Sequence, residues 1–237
     1  MGKIVLRDKD LASMIDLSAV QTYMGDKENS ELMEIAHKYG FKYISVFASY
    51  IPFIQNLCRD MPDSVVIGNI GFPSGGETTA SKIFQAKELY GLGCKEVDMV
   101  INVGYLKSKK YKEVEDEIRA VKASVNELPL KVILEVSYLT DEEIIKGCEL
   151  SMKAGASFVK TGTGWTPNIT TVENIKLMKS FVGDKIKIKA SGGVRNLATL
   201  IDMYKAGARR FGINLNNAVK IIEECRAMPN GSIEIEE

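Results

Sequence analysis

The chain has a single histidine among 237 residues and a single tryptophan. His37 lies in ELMEIAHKYG, which patterns as a helix, and is expected to be structural or solvent-facing. One histidine leaves no room for a His-rich metal centre and argues against a Ser-His-Asp triad. Cysteine is also scarce: Cys58, Cys94, Cys148 and Cys225 form no Cys-x-x-Cys pair. They are expected to be free thiols in a reducing compartment. No charge of either sign is in excess, since 31 Lys and Arg balance 31 Asp and Glu. That excludes the basic surplus usual in nucleic-acid binders, though not a local basic pocket. No apolar run approaches the ~20 residues of a membrane span. The start, MGKIVLRDKD, lacks the apolar core of a secretion signal. A soluble, cytoplasmic protein with neither membrane nor nucleic-acid partner is expected.

Linkers, low-complexity stretches and composition breaks are absent too, which points to one domain over residues 1–237. Length alone would also allow two small domains. Short β-branched, apolar runs recur at 43–48, 65–71, 96–102, 131–137, 157–163, 186–191 and 209–214, with a weaker one, ASMIDLS, at 12–18. Continuous apolar runs suit parallel strands covered on both faces. Between them lie helical patterns: NSELMEIAHKYGF places Leu32, Ile35, Ala36 and Tyr39 on one face. TDEEIIKGCELSMKAGA opens with the capping-box pattern Thr140-x-x-Glu143. Strict alternation of strand and helix predicts an α/β protein with a parallel sheet. Eight strands and about eight helices predict a (β/α)8 barrel, for which ~250 residues is typical. An open, doubly wound sheet is the alternative. The tail, GSIEIEE, is expected to fray.

In such a barrel the active site gathers at the C-terminal ends of the strands. Those ends hold Asp98 and Asn102, Glu135 and Ser137, Lys160, Thr161 and Thr163, Lys189 and Ser191, and Asn214. Lysine inside an apolar strand is costly unless it is paired or loses its proton. Lys160 and Lys189 are both expected to face the barrel mouth, where neighbouring ammonium groups depress each other's pKa. A neutral lysine is the nucleophile that Schiff-base chemistry needs. Asp98, two strands away from Lys160, is placed to relay protons with Lys189. Lys187 is assigned to the outside of the barrel, in a surface salt bridge. The SGGV turn (191–194) and FGIN (211–214) follow the last two strands, where this fold commonly binds phosphate. Gly192 and Gly193 let backbone N–H groups approach an anion, and NNAVKII offers a helix N-terminus beside them.

GFPSGGETTASKIFQAKE, EVDMVINVGYLKS, KVILEVSYLTDEE, AGASFVKTGTGW and KASGGVRN resemble the deoxyribose-phosphate aldolases, which are class I aldolases. The resemblance implies that Lys160 forms the Schiff base, that Lys189 perturbs it and assists proton transfer, and that Asp98 joins the relay. It further implies that Thr161, Gly162 and Thr163 line the sugar and phosphate end, with Ser191, Gly192, Gly193, Gly212 and Asn214 around the phosphate. The implied reaction joins acetaldehyde to glyceraldehyde 3-phosphate, reversibly, to give 2-deoxyribose 5-phosphate. It implies no metal or organic cofactor, because the protonated imine is the electron sink. The implied partners are a sugar phosphate, an aldehyde and further copies of the chain, as a homodimer or larger. Departures from the family pattern lie at Leu17 and Ser18, at Phe47, Ala48 and Ser49, and at Ile213-Asn214. Trp165 and Pro167 enlarge the loop after Lys160, and the tail lacks the tyrosine that ends many members. These departures spare the imine residues and bear on the substrate. A related Schiff-base lyase for another sugar, or a barrel that binds a sugar phosphate without turnover, are the competing readings.

Overall fold

The structure, a computed structural model, describes residues 3–236. A strand, β1 (Lys3–Arg7), and a helix, α1 (Asp8–Met14), precede the barrel. Eight strands then follow: β2 (Ile15–Ala19), β3 (Tyr43–Val46), β4 (Val65–Ile70), β5 (Glu96–Val100), β6 (Leu130–Ile133), β7 (Phe158–Lys160), β8 (Lys187–Ser191) and β9 (Ala208–Ile213). They pair in parallel in that order, and β9 closes on β2. The helices between and after them are α2 (Asp26–Tyr39), α3 (Ile51–Leu57), α4 (Thr79–Gly91), α5 (Val103–Lys107), α6 (Tyr111–Ser124), α7 (Asp141–Lys153), α8 (Val172–Val182), α9 (Leu197–Lys205) and α10 (Leu215–Arg226). This is the expected (β/α)8 barrel, not the open sheet.

Each helix buries one stripe against the strands. In α6 the buried positions are Val114, Glu117, Ile118 and Val121, the spacing of one helical face. The helix starts are fixed by side chains: Thr140 caps α7 with the expected Glu143 box, Thr78 caps α4, and Asn214 caps α10. A buried ion pair ties α4 to α6. Lys82 donates to Glu117 Oε1 at 2.7 Å, and to the carbonyls of Gly75 and Val100 at 2.8 and 2.9 Å. The loop after β4 is thereby fastened to the end of β5.

Several expectations change. The first barrel strand begins at Ile15, because Ala12 to Met14 belong to α1, whose Leu11 and Ala12 are buried. A short apolar run carries no periodicity that separates a helix end from a strand start. The tail is not frayed: Ser232–Glu236 forms β10, antiparallel to β1, with Ile235 facing Ile4 and Glu234 paired to Lys3. Its Ile-Glu-Ile-Glu alternation is a strand pattern with one buried face. Lys187 is not outside the barrel. Lys187 and Lys189 are two residues apart and share one side of β8, so Lys187 sits at the N-terminal mouth, 5.7 Å from the Phe158 ring. His37 is exposed on α2, and all four cysteines are free. Burial pushes the Cys94 and Cys148 thiols up to about 12, so they act as packing groups. Among the described residues no helix is long and apolar enough to cross a membrane.

Candidate active site

Strand alternation sends every second side chain inward, and in this barrel an unusual share of those side chains are charged. Asp98, from β5, is the hub. Its Oδ2 accepts from Lys160 Nζ at 2.8 Å and from Lys189 Nζ at 2.7 Å, and its Oδ1 accepts from Lys131 Nζ at 3.0 Å. The three residues singled out in the sequence therefore meet at one oxygen. Four more join them: Asp16, Glu96, Lys131 and Arg210. Lys189 lies 2.5 Å from Asp16, and Lys131 lies 2.6 Å from Glu96. Arg210 bridges Asp16 at 2.8 Å and Glu96 at 3.4 Å. Their signal in the sequence is a charge set in an apolar strand at the inward register. Lys131 pairs with Asp98 across β5 and β6, and Arg210 pairs with Lys189 across β8 and β9.

The electrostatics of this cluster select one lysine. Burial disfavours the charged form of Lys160 and, with the repulsion of Lys189 and Lys131, outweighs the attraction of Asp98; the ammonium is held down to about 8. Burial, more than the neighbouring lysine, is the leading cause. Lys131 goes the other way: burial opposes its charge, but Asp98, Asp16 and Glu96 surround it and raise its pKa. Burial would likewise raise Asp98, yet Lys131, Lys160 and Lys189 hold it well below the usual carboxylate range. Three carboxylates, Asp16, Glu96 and Asp98, face four cations, Lys131, Lys160, Lys189 and Arg210. Loss of one proton brings the buried cluster to neutrality, and the lowered pKa of Lys160 favours that loss there. Lys160 is only 5% exposed, so its amine works in a medium where a charge is poorly solvated.

Beside the cluster lies a cavity of about 180 Å³ lined by Ser18, Thr163, Ser191, Gly192, Gly193, Arg195, Gly212 and Asn214, among others. No acidic side chain lines it, and Arg195 supplies a cation. Arg195 and Gln21 were not singled out in the sequence, and Ser18 only as a departure from the family pattern; Arg195 carries a signal there, as the cation that follows the SGGV turn. Gly193 has φ 114°, a conformation that strains any side chain, and a Cβ there would lie 2.9 Å from Ile169. A Cβ on Gly212 would meet Ser191 Oγ at 2.7 Å and approach Lys189 Cε to 3.4 Å. Asn214 faces the cavity as the cap of α10, its Oδ1 accepting from Asn217 N–H. The free N–H groups and positive end of that helix favour an anion.

Thr161 and Gly162 take other places. Thr161 is fully buried, and its hydroxyl bridges β7 to β8 through Ser191 O and N–H and accepts from Thr170. It belongs to the wall behind the cavity. Gly162 packs against Glu135, where a Cβ would stand 2.6 Å from the carboxylate. Glu135 holds a left-handed backbone, φ 57°, ψ 59°, rare for a residue with a side chain. Burial pushes its carboxyl up, opposed by the hydrogen bonds it accepts from Thr163. Those bonds, from Thr163 N–H and Oγ1, fix the start of the loop after β7.

A family model described as DeoC/LacD family aldolase matches residues 11–218. The chain is 44% identical over 230 residues to a deoxyribose-phosphate aldolase of Sinorhizobium medicae, covering 97% of this chain and 93% of that one. A deoxyribose-phosphate aldolase of Carboxydothermus hydrogenoformans is 44% identical over 209 residues, or 85% of this chain and 90% of the other. Among solved structures, one described as QR15, an aldolase, superposes with a TM-score of 0.85 at 35% identity, covering 91% of this chain and 95% of that one. A structure described as a tetrameric deoxyribose phosphate aldolase from Aeropyrum pernix gives 0.82 at 27% identity, with 93% and 92% covered.

Proposed function

The chain belongs to the DeoC/LacD family of aldolases, and from that premise we propose that it cleaves 2-deoxyribose 5-phosphate, reversibly, through an imine on Lys160. The observation that carries this is the shared oxygen of Asp98, which holds Lys160 and Lys189 at 2.8 and 2.7 Å while the Lys160 ammonium is held down to about 8.

The neutral Lys160 amine attacks the aldehyde carbon of the open-chain sugar phosphate. Loss of water gives an iminium. Removal of the proton from the hydroxyl on the substrate's third carbon lets the bond between its second and third carbons break, and the electron pair of that bond flows to the iminium nitrogen. Glyceraldehyde 3-phosphate leaves, and an enamine remains. Protonation of the enamine carbon and hydrolysis release acetaldehyde and restore Lys160. Asp98, in contact with the reacting amine, and Lys189, bonded to the same Asp98 oxygen, hold and return the protons. The phosphate sits on Gly192, Gly193 and the N-terminus of α10, with Thr163, Ser191, Gly212, Asn214 and Arg195 around it. No metal or organic cofactor takes part. The protein acts in the cytoplasm as a homodimer or larger assembly, in keeping with the tetrameric Aeropyrum pernix relative. Light scattering should give a multiple of 26.2 kDa.

A coupled assay for glyceraldehyde 3-phosphate tests the reading. Cleavage of 2-deoxyribose 5-phosphate is expected, with kcat/KM for unphosphorylated 2-deoxyribose lower by about 10²-fold or more as the remote binding energy is lost. Cleavage of a ketose phosphate instead would contradict it.

A further inference from the structure

The charged groups inside the barrel close on themselves. Asp98 Oδ1 meets Lys131 at 3.0 Å, and Lys131 lies 2.6 Å from Glu96 Oε2. Glu96 Oε1 meets Arg210 at 3.4 Å, and Arg210 meets Asp16 Oδ1 at 2.8 Å. Asp16 Oδ2 lies 2.5 Å from Lys189, which returns to Asp98 Oδ2 at 2.7 Å. Acid and base alternate around this circuit, and each carboxylate turns one oxygen to the cation on either side. Asp16, Glu96 and Asp98 thus balance Lys131, Lys189 and Arg210. Lys160 stands outside the circuit. Among the described residues its one carboxylate contact is Asp98 Oδ2, the oxygen that Lys189 also holds.

The circuit has two ends. Asp98 and Lys189 meet at the Lys160 amine, and Arg210 and Glu96 lie toward the opposite mouth of the barrel. Glu96 opens β5, and Arg210 borders a cavity of about 430 Å³ whose wall includes Phe158 and Lys187, the first residues of β7 and β8. The Glu96 and Arg210 side chains each keep 10% exposure, whereas Asp16, Asp98, Lys131 and Lys189 have 1% or less. Arg210 is held there by Tyr43 of β3, whose ring centroid is 3.5 Å from the guanidinium carbon. The other charged groups near the set are Glu135, after β6, whose carboxyl feels the charge of Lys160, and Lys187, 5.7 Å from the Phe158 ring.

We propose that Arg210 and Glu96, on the side of the barrel away from the phosphate cavity, are positioning residues for Lys160: they complete the neutral circuit that holds Asp98 and Lys189, and so set whether Lys160 carries a proton. The proposal rests on the imine reading of Lys160, in which the neutral amine is the reactive form. In a poorly solvating interior each charge is felt by the others at a distance. A protonated Lys160 leaves the set with one positive charge in excess, and a neutral Lys160 leaves none. Without the Arg210 charge the circuit is negative, and a protonated Lys160 balances it, so the proton is held to higher pH. Without the Glu96 charge the circuit is itself positive, and the proton leaves at lower pH. Removing both restores the balance.

The test reads the Lys160 proton without substrate, by NMR of protein carrying isotope-labelled lysine Nζ, with Lys160→Ala to assign the signal. Arg210→Met should move the Lys160 midpoint up and Glu96→Gln should move it down, each by about half a pH unit or more. Arg210→Lys, and the double variant Arg210→Met with Glu96→Gln, should both stay near the wild-type midpoint. Trapping of acetaldehyde by borohydride should follow the proton. In Arg210→Met it should be slow near the wild-type midpoint of about 8 and recover at higher pH, a recovery that damage to the fold does not give. Glu96→Gln keeps the shape of the side chain and an oxygen acceptor, so it decides the matter even if Arg210→Met does not fold. A folded Glu96→Gln with an unmoved midpoint, or two single variants that move the same way, would overturn the proposal. Midpoints that move as stated, with no adduct on Lys160 in any variant, would instead overturn the imine reading and leave the hold of the circuit on the Lys160 proton in place.

Discussion

Lys160 is proposed as the reactive amine because of where its side chain ends. Burial is opposed by one carboxylate, Asp98, which two other ammonium groups also share. Its charged form is disfavoured on folding, so it carries a stability cost below about pH 8 that fades as pH rises toward 10.5. Imine formation should therefore climb with pH, with its midpoint near 8, and level off above that. Lys189→Leu removes a repulsion, so the Lys160 pKa rises and the acid limb of the profile moves to higher pH. Asp98→Asn removes an attraction, so the limb moves to lower pH, while loss of the relay slows turnover by about 10²–10⁴-fold. Stopped-flow imine formation against pH checks both signs. A limb that moves the same way in both variants would contradict the assignment. Asp98, Lys160 and Lys189 were legible because a charge in an apolar strand stands out near a strand end. Lys131, Glu96 and Arg210 carry the same signal deeper in the barrel, where the rule that sites lie at strand ends hides them.

At the scale of elements, alternation of strand and helix was enough to predict the closed barrel, and the capping box at Thr140 marked its helix correctly. What escaped depends on partners distant in sequence. β10 is a strand because β1, more than 220 residues earlier, offers an edge to pair with. α3 and α5 are only 7 and 5 residues long, too short to show a helical period. The Lys82–Glu117 pair could not be foreseen, since an exposed-looking lysine on a helix gives no sign that a carboxylate on another helix will meet it. That pair yields a stability prediction. Lys82→Met leaves Glu117 buried and unpaired and frees the carbonyls of Gly75 and Val100, so it should cost about 3–5 kcal/mol. Urea unfolding would show this as a lower midpoint at unchanged slope. A midpoint at the wild-type value would show that the clamp contributes nothing.

Across the whole molecule, equal numbers of positive and negative residues conceal a strongly charged interior. The barrel that closes β9 onto β2 brings charges from six of its strands to one place, and no local stretch of sequence contains that arrangement. The departures at Leu17 and Ile213 face away from this centre, on the opposite side of β2 and β9 from Asp16 and Arg210, and leave its acids and bases in place. In the proposed reaction this centre makes one lysine an imine-forming nucleophile. The most direct test incubates the protein with 2-deoxyribose 5-phosphate, reduces it with borohydride and maps the adduct by peptide mass spectrometry. A single reduced adduct on Lys160 is expected, absent from Lys160→Ala, with Lys131 and Lys189 unmodified. An adduct on Lys189 or Lys131, or an adduct that survives in Lys160→Ala, would contradict it.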